Sequence, residues 1–216
     1  MDILVSMHAY HRLNHKDTMP TQRQEKEAAL KKLYEPHRTF TKSPLYLTGC
    51  KNIVFGEGDL DATIMFIGEA PGKQEDEQGR PFVGPSGKLL GKALTLAGLS
   101  REEVFITNIV KCRPPNNRTP LPNELKTGKE LMLLEQITII NPVILCTLGS
   151  AALRGLTEID YRITQVHGQP LDFNGRILFP TFHPAYILRN LQQEEAFLRD
   201  IKKLAQLRTI ALKSRG

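Results

Sequence analysis

Tryptophan is missing from the 216-residue chain, cysteine occurs only at Cys50, Cys112 and Cys146, and no apolar stretch is long enough to cross a bilayer. Few and widely spaced cysteines, with no cleavable hydrophobic leader, make a disulfide framework unexpected and point to the reducing cytoplasm. The most apolar stretch, Leu131 to Leu148, is broken by Glu135, Gln136, Asn141 and Pro142, so membrane insertion is not expected. Acidic residues are also short: 23 Asp and Glu face 29 Lys and Arg, a formal charge of +6 and a pI near 9.3. On charge alone, a polyanionic partner and a merely basic surface are equally good readings. What is present, 40% apolar and 24% charged residues, is the composition of a globular chain with one ordinary core.

Residues Met1 to Thr21 are polar and lack periodic apolar positions, which reads as an arm. Its His8, His11 and His15 have no nearby carboxylates or thiols to complete a metal site. The run QRQEKEAALKKLY, Gln22 to Tyr34, is rich in helix formers and stops before Pro36. From there strand and helix alternate: strands at 63–67, 104–109, 143–148 and 176–179, helices at 87–97, 123–140 and 150–156, and a last helix from Gln192 to Leu207. Leu94 to Ala97 before Gly98 reads as a helix closed by a glycine cap. The strand cores TIMFIG and VILCTLG are continuous apolar runs, as burial on both faces requires. The expected fold is α/β, three layers with a central, mainly parallel four-stranded sheet. The expected division is an extension over 1–39, a domain over 40–208 and a basic tail over 209–216.

Ligands of open parallel sheets bind beyond the carboxyl ends of the strands, so the segments following each strand are where chemistry is sought. The first, GEAPGKQEDEQGRPFVG, places Glu69, Ala70 and Glu75 on a turn-rich loop ahead of Phe82, a ring on which a planar ligand can stack. It lacks the Lys-Ser or Lys-Thr of a phosphate loop, and in isolation it reads more readily as a solvated acidic turn over a core phenylalanine. The second, TNIVKCRPPNNR, puts Asn108 at a strand end, where an amide can donate and accept to a base edge. Lys111, Arg113 and Arg118 follow on a proline-stiffened loop suited to phosphates, with a plain polar loop an equal alternative. The third, FPTFHPAYILR, places His183 where it can stabilise charge building on a base. Tyr186, Ile187 and Leu188 beside Arg189 form an apolar protrusion suited to wedging into stacked bases. Alone, His183 is equally well a structural histidine.

In this order and spacing the three segments resemble the uracil-DNA glycosylase superfamily, and within it the family-four, thermophile-type branch, from about Phe40 to Leu204. The resemblance implies hydrolysis of the N-glycosidic bond of a uracil flipped out of DNA, in base excision repair. Carried over residue by residue, it makes Glu69 the water-positioning residue and places Ala70 in the uracil pocket. Glu75 becomes the guard against thymine's methyl group, Phe82 the stacking ring, Asn108 the pyrimidine reader and His183 the support for the departing oxygen. Ser86, Lys111, Arg113 and Arg118 would contact DNA, and Tyr186, Leu188 and Arg189 would enter the minor groove. Ala70 stands where better-known relatives have an aspartate, and the family-four branch likewise lacks a carboxylate there.

The resemblance also implies a four-iron, four-sulfur cluster, and here the chain departs from it. Phe40, Ser43, Cys112 and Gly128 occupy the four ligand positions, so one thiolate remains and no cluster and no other metal is expected. Phe40 could fill the vacated space by apolar packing. The partner implied is uracil-containing DNA, with the protein acting as a monomer. Two other readings compete: a non-catalytic DNA-binding homologue that kept the fold, and a glycosylase that forms a covalent adduct through a loop histidine. For the latter the chain offers only His167, without a basic insertion around it.

Overall fold

The computed structural model describes residues 20–37, 45 and 50–213. Helix α1 (Gln22–Tyr34) starts at Thr21 through a reciprocal cap: Thr21 Oγ1 accepts from the Gln24 amide at 3.3 Å, and Gln24 Oε1 accepts from the Thr21 amide at 2.8 Å. The helix docks by burying Leu30 in the core. Lys26 Nζ donates to the Leu60 and Ile140 carbonyls, each at 3.1 Å.

Six strands follow, β1 (Glu57–Gly58), β2 (Ile64–Gly68), β3 (Phe105–Asn108), β4 (Ile144–Leu148), β5 (Leu171–Phe173) and β6 (Arg176–Thr181), in the order β1-β3-β2-β4-β6-β5. The four expected strands form the parallel centre, β3-β2-β4-β6, and two short antiparallel strands that the expectation did not include complete its edges. β1, two residues long, leaves no pattern in the sequence, whereas β5 joins β6 through the Asn174-Gly175 turn, both residues at positive φ, a hairpin signal that the expectation did not use.

Alternation along the central strands divides the core. Met65 and Ile67 face one side with Phe105, Leu145 and Leu178, while Ile64 and Phe66 face the other with Ile106, Ile144, Cys146 and Phe179. The first side is covered by α1, α4 (Pro122–Gly128), α5 (Leu134–Ile140) and α6 (Ser150–Thr157); a single π-helical turn over Lys129–Leu133 joins α4 to α5. The second side is covered by α3 (Pro85–Leu96) and α9 (Glu194–Lys213), which carries Phe197, Ile201 and Leu204 inward. Helix α3 ends as expected, with Gly98 at φ +74 and the Leu99 amide reaching back to the Leu94 carbonyl at 2.9 Å. Helix α9 runs to Lys213, so most of the expected basic tail is helical. Short helices α2 (Lys73–Gln78), α7 (Ile163–Val166) and α8 (Pro184–Arg189) lie in the loops.

Strand register aligns the carboxyl ends of the sheet. Gly68 pairs with Asn108 and Leu148 with Thr181, so the loops after β2, β3, β4 and β6 open onto one edge. β2 neighbours both β3 and β4, so the chain reverses its direction of travel across the sheet there, which is where open sheets form ligand crevices.

The expectation of unpaired cysteines is corrected. Cys50 and Cys112 form a disulfide, with Cα atoms 5.6 Å apart, the spacing such a bond needs. Residues distant in sequence meet because the Val54 amide donates to the Lys111 carbonyl at 2.8 Å, and the Lys51 and Asn52 amides bind Asp76 Oδ1 at 2.8 and 3.1 Å. Closing a loop across a sequence separation of 62 residues restrains the unfolded chain by about 4 kcal/mol in the chain-entropy model. Cys50→Ser is therefore expected to lower the denaturant midpoint of oxidised protein, and reduced wild type is expected to match the variant. Equal midpoints for oxidised wild type and variant would show that the bond contributes nothing.

Candidate active site

The floor of the site is a residue without a side chain. A Cβ on Gly68, at the end of β2, would lie 2.3 Å from Asn108 Oδ1 and 2.6 Å from Phe82 Cζ, so the amide and the ring meet over the space glycine leaves. Phe82 reaches this position with its backbone in the left-handed region, φ 50, a conformation that costs about 1–3 kcal/mol for such a residue. The loop is gripped from both sides. Arg101, itself bound to Glu57 at 3.0 Å, donates to the Phe82 carbonyl at 3.1 Å and also to the Pro81 carbonyl. On the cleft side, Glu75 Oε1 accepts the Val83 and Gly84 amides at 3.0 and 2.8 Å.

His183 caps α8: its Nδ1 accepts from the Ala185 amide at 3.0 Å. Its ring centre lies 5.9 Å from that of Phe82. Burial, reinforced by the positive charge of Arg189 and opposed by Glu75, lowers the imidazole pKa to about 4. The ring is therefore neutral near pH 7. Because Nδ1 accepts, the proton sits on Nε2, which makes that atom a hydrogen-bond donor. Glu69, the first residue after β2, is half-buried. Desolvation raises its carboxyl pKa above 4.5, against a smaller opposing pull from Arg154.

These side chains share one cleft of about 770 Å³. Of the residues singled out from the sequence, it brings together Glu69, Ala70, Glu75, Phe82, Asn108 and His183 in the interior, with Ser86, Arg118, Tyr186 and Arg189 also along its wall. Arg118 is held at the wall by two bonds to Glu124, at 2.8 and 2.7 Å. Tyr186 stacks on Phe182, ring centres 5.5 Å apart. Arg113 and Leu188 lie off the cleft: Arg113 binds Asn117 Oδ1 at 2.6 Å, and Leu188 is exposed at the surface.

Lys111 requires a correction. It was expected to hold phosphate, yet its side chain is buried, with Nζ bonded to Thr107 Oγ1, the Asn108 carbonyl and Gln136 Oε1 at 2.6, 2.7 and 2.6 Å. Sequence reasoning treated the residue as part of an exposed basic loop, but the loop emerges only after Cys112. His167 is likewise outside the cleft, tied through Nδ1 to Asp200 Oδ2 at 2.9 Å and stacked on Phe182.

Sequence reasoning missed the wall formed by Leu148, Gly149, Ser150 and Phe182. The signal was available, since Gly149 and Ser150 follow a strand as directly as the three segments that were singled out.

The residues do not fit a four-iron, four-sulfur cluster. Phe40 and Ser43, at two of the family's ligand positions, lie outside the described residues and bear no thiol. Cys112 is bonded to Cys50. At the fourth position even a Cβ on Gly128 would come 2.6 Å from the Ile109 carbonyl oxygen. Cys146 is fully buried on the opposite face of the sheet, and burial raises its thiol pKa well above the usual range. Among the described residues no group of three His, Cys, Asp or Glu converges.

Comparison with known proteins agrees with this geometry. The family model of the Uracil DNA glycosylase superfamily matches residues 55–205, from just before β1 into α9. A Type-4 uracil-DNA glycosylase of Thermotoga maritima is 48% identical over 167 residues, covering 76% of this chain and 86% of that protein. One from Pyrobaculum aerophilum is 42% identical over 180 residues, 80% of this chain and 91% of its own length. A Type-5 uracil-DNA glycosylase of the latter organism is 32% identical over 145 residues, 59% of this chain and 63% of that protein. With a match that takes in the whole sheet and every loop around the cleft, the chain belongs to the uracil DNA glycosylase superfamily.

Proposed function

We propose that the protein is a uracil-DNA glycosylase that hydrolyses the bond between uracil N1 and deoxyribose C1′ after the nucleotide has flipped out of DNA. The observation that carries this reading is the meeting of a phenyl ring and a carboxamide over Gly68 with a neutral imidazole in the same cleft, its ring centre 5.9 Å from that of Phe82. An extruded pyrimidine stacks on Phe82, and Asn108 takes its edge with acceptor to N3–H and donor to O4. Glu75, tied to two loop amides, stands as the wall that a 5-methyl group would strike.

As the glycosidic bond breaks, its electron pair stays with uracil and charge collects on O2. The Nε2–H of neutral His183 donates to that oxygen without losing its proton. Glu69 orients a water whose oxygen bonds to C1′. The water's proton passes through Glu69 to solvent, and uracil takes a proton from solvent. Desolvation suits Glu69 to this role, because a carboxylate short of water binds the one it keeps more strongly.

DNA approaches through the basic surface. In this reading Arg113, Arg118 and Ser86 contact phosphates, and Tyr186, Leu188 and Arg189 hold the gap left by the flipped base. The reading includes a monomer as the working form. The enzyme works in the cytoplasm on base excision repair without a metal.

Three outcomes are expected. Purified protein releases free uracil from a uracil-containing oligonucleotide, and His183→Ala and Asn108→Ala each slow release about 10²–10³-fold with the thermal midpoint preserved. No release by folded wild type would favour a DNA-binding homologue without activity, and near-normal variant rates would move the pocket elsewhere. The single-turnover rate stays flat as pH falls through 6.5, where an ordinary histidine would titrate, because His183 remains neutral down to about 4. The first acid limb belongs to Glu69, above pH 4.5, and shifts to lower pH in Glu69→Gln; a limb at 6.5 that persists in Glu69→Gln would contradict the neutral-imidazole assignment. Finally, anaerobically purified protein contains no stoichiometric iron and lacks the broad visible absorbance of an iron–sulfur centre, whereas one cluster per chain would overturn the ligand count.

A further inference from the structure

Lys111 is 2% exposed, and among the described residues no carboxylate pairs with its amine. Burying such a group is costly, and a methionine would fill the same space with none of that cost. All the hydrogen bonds of Nζ go to two places: the backbone and side chain of the residues ending β3, and Gln136 of α5. Beyond Lys111 the network is closed, since Thr107 Oγ1 and Gln136 Nε2 both donate to the Phe55 carbonyl at 2.8 Å. The turn that Lys111 completes also holds the other half of the site. The Ile109 amide donates to the Gly68 carbonyl at 2.9 Å and the Val110 amide to the Glu69 carbonyl at 3.1 Å.

We propose that Lys111 is a positioning residue for base recognition, its amine pinning the Asn108 carbonyl and the Thr107 hydroxyl so that the Asn108 amide is held at one angle over Gly68. The inference rests on Asn108 being the base-reading residue proposed above. The carbonyl direction of Asn108 sets its ψ, and with it the direction in which the side chain leaves the strand. A carboxamide needs this control, because hydrogen bonds weaken steeply off axis. Rotated by half a turn it offers donor for acceptor and acceptor for donor, the pattern of cytosine instead of uracil. Lys111 therefore acts on the chemistry from behind the strand, without touching substrate.

The test is a double-mutant cycle on uracil release under single-turnover conditions, with affinity for a uracil-free oligonucleotide and the thermal midpoint measured in parallel. Lys111→Met is expected to slow release at least about tenfold, with little change in DNA affinity, as misplacement of a reacting group does. In an Asn108→Ala background it is expected to add almost nothing. An unchanged Lys111→Met rate, or losses that multiply in the double variant, would overturn the proposal. Should Lys111→Met not fold, Lys111→Gln, a polar side chain too short to keep the bond to the Asn108 carbonyl, enters the same cycle and decides by the same criterion. If Asn108→Ala itself runs at the wild-type rate, the base-reading assignment falls, and the role of Lys111 falls with it. A slow Asn108→Ala beside a normal Lys111→Met sinks the positioning role alone.

Discussion

The absence of a side chain at Gly68 is the constraint on which the rest of the site depends. β2 must end in a residue with no Cβ, because the space that atom would fill holds Asn108 Oδ1 and the edge of the Phe82 ring. Register then does the remaining positioning: the pairing of Gly68 with Asn108 and of Leu148 with Thr181 brings four strand ends level, so that short loops suffice to turn functional side chains into one cleft. Phe82 adopts its unfavourable φ because Arg101 and Glu75 hold the loop from opposite sides.

Burial sets the chemistry of the cleft. Desolvation acts in opposite directions on its acid and its base: it raises the carboxyl of Glu69 and depresses the imidazole of His183, each time favouring the neutral form. For the histidine, this creates a donor that carries no charge of its own. Its tautomer is chosen locally, by the Ala185 amide at the start of α8, so the Pro-Ala sequence after His183 orients the ring as well as starting the helix.

At two of the four ligand positions that the resemblance implies for a cluster, Cys112 and Gly128 are engaged in other contacts. Gly128 packs directly on the Ile109 carbonyl, Cys112 is joined to Cys50, and α1 docks through Lys26 and Leu30. The first two contacts bear on the turn at residues 108–112, which leads into the PPNNR loop on the cleft, while Lys26 docks at the opposite end of the strands. Support for that loop thus comes from covalent linkage, close backbone packing and the buried amine of Lys111.

By itself, the sequence determined the layer architecture, since apolar runs between helical patterns admit few arrangements other than a parallel sheet covered on both faces. It also pointed to Glu69, Asn108 and His183, which the structure gathers in one cleft, because the residue types at strand ends and the spacing of three motifs are local properties. Tertiary structure alone decided which basic residues are free and which cysteines meet. Lys111 reads as loop charge until α5 brings Gln136 over it, and Cys50 finds Cys112 only when residues 50–55 lie along the end of β3. The physical reason is that burial and pairing at these positions depend on elements far away in the chain, and no local pattern records where those elements will pack.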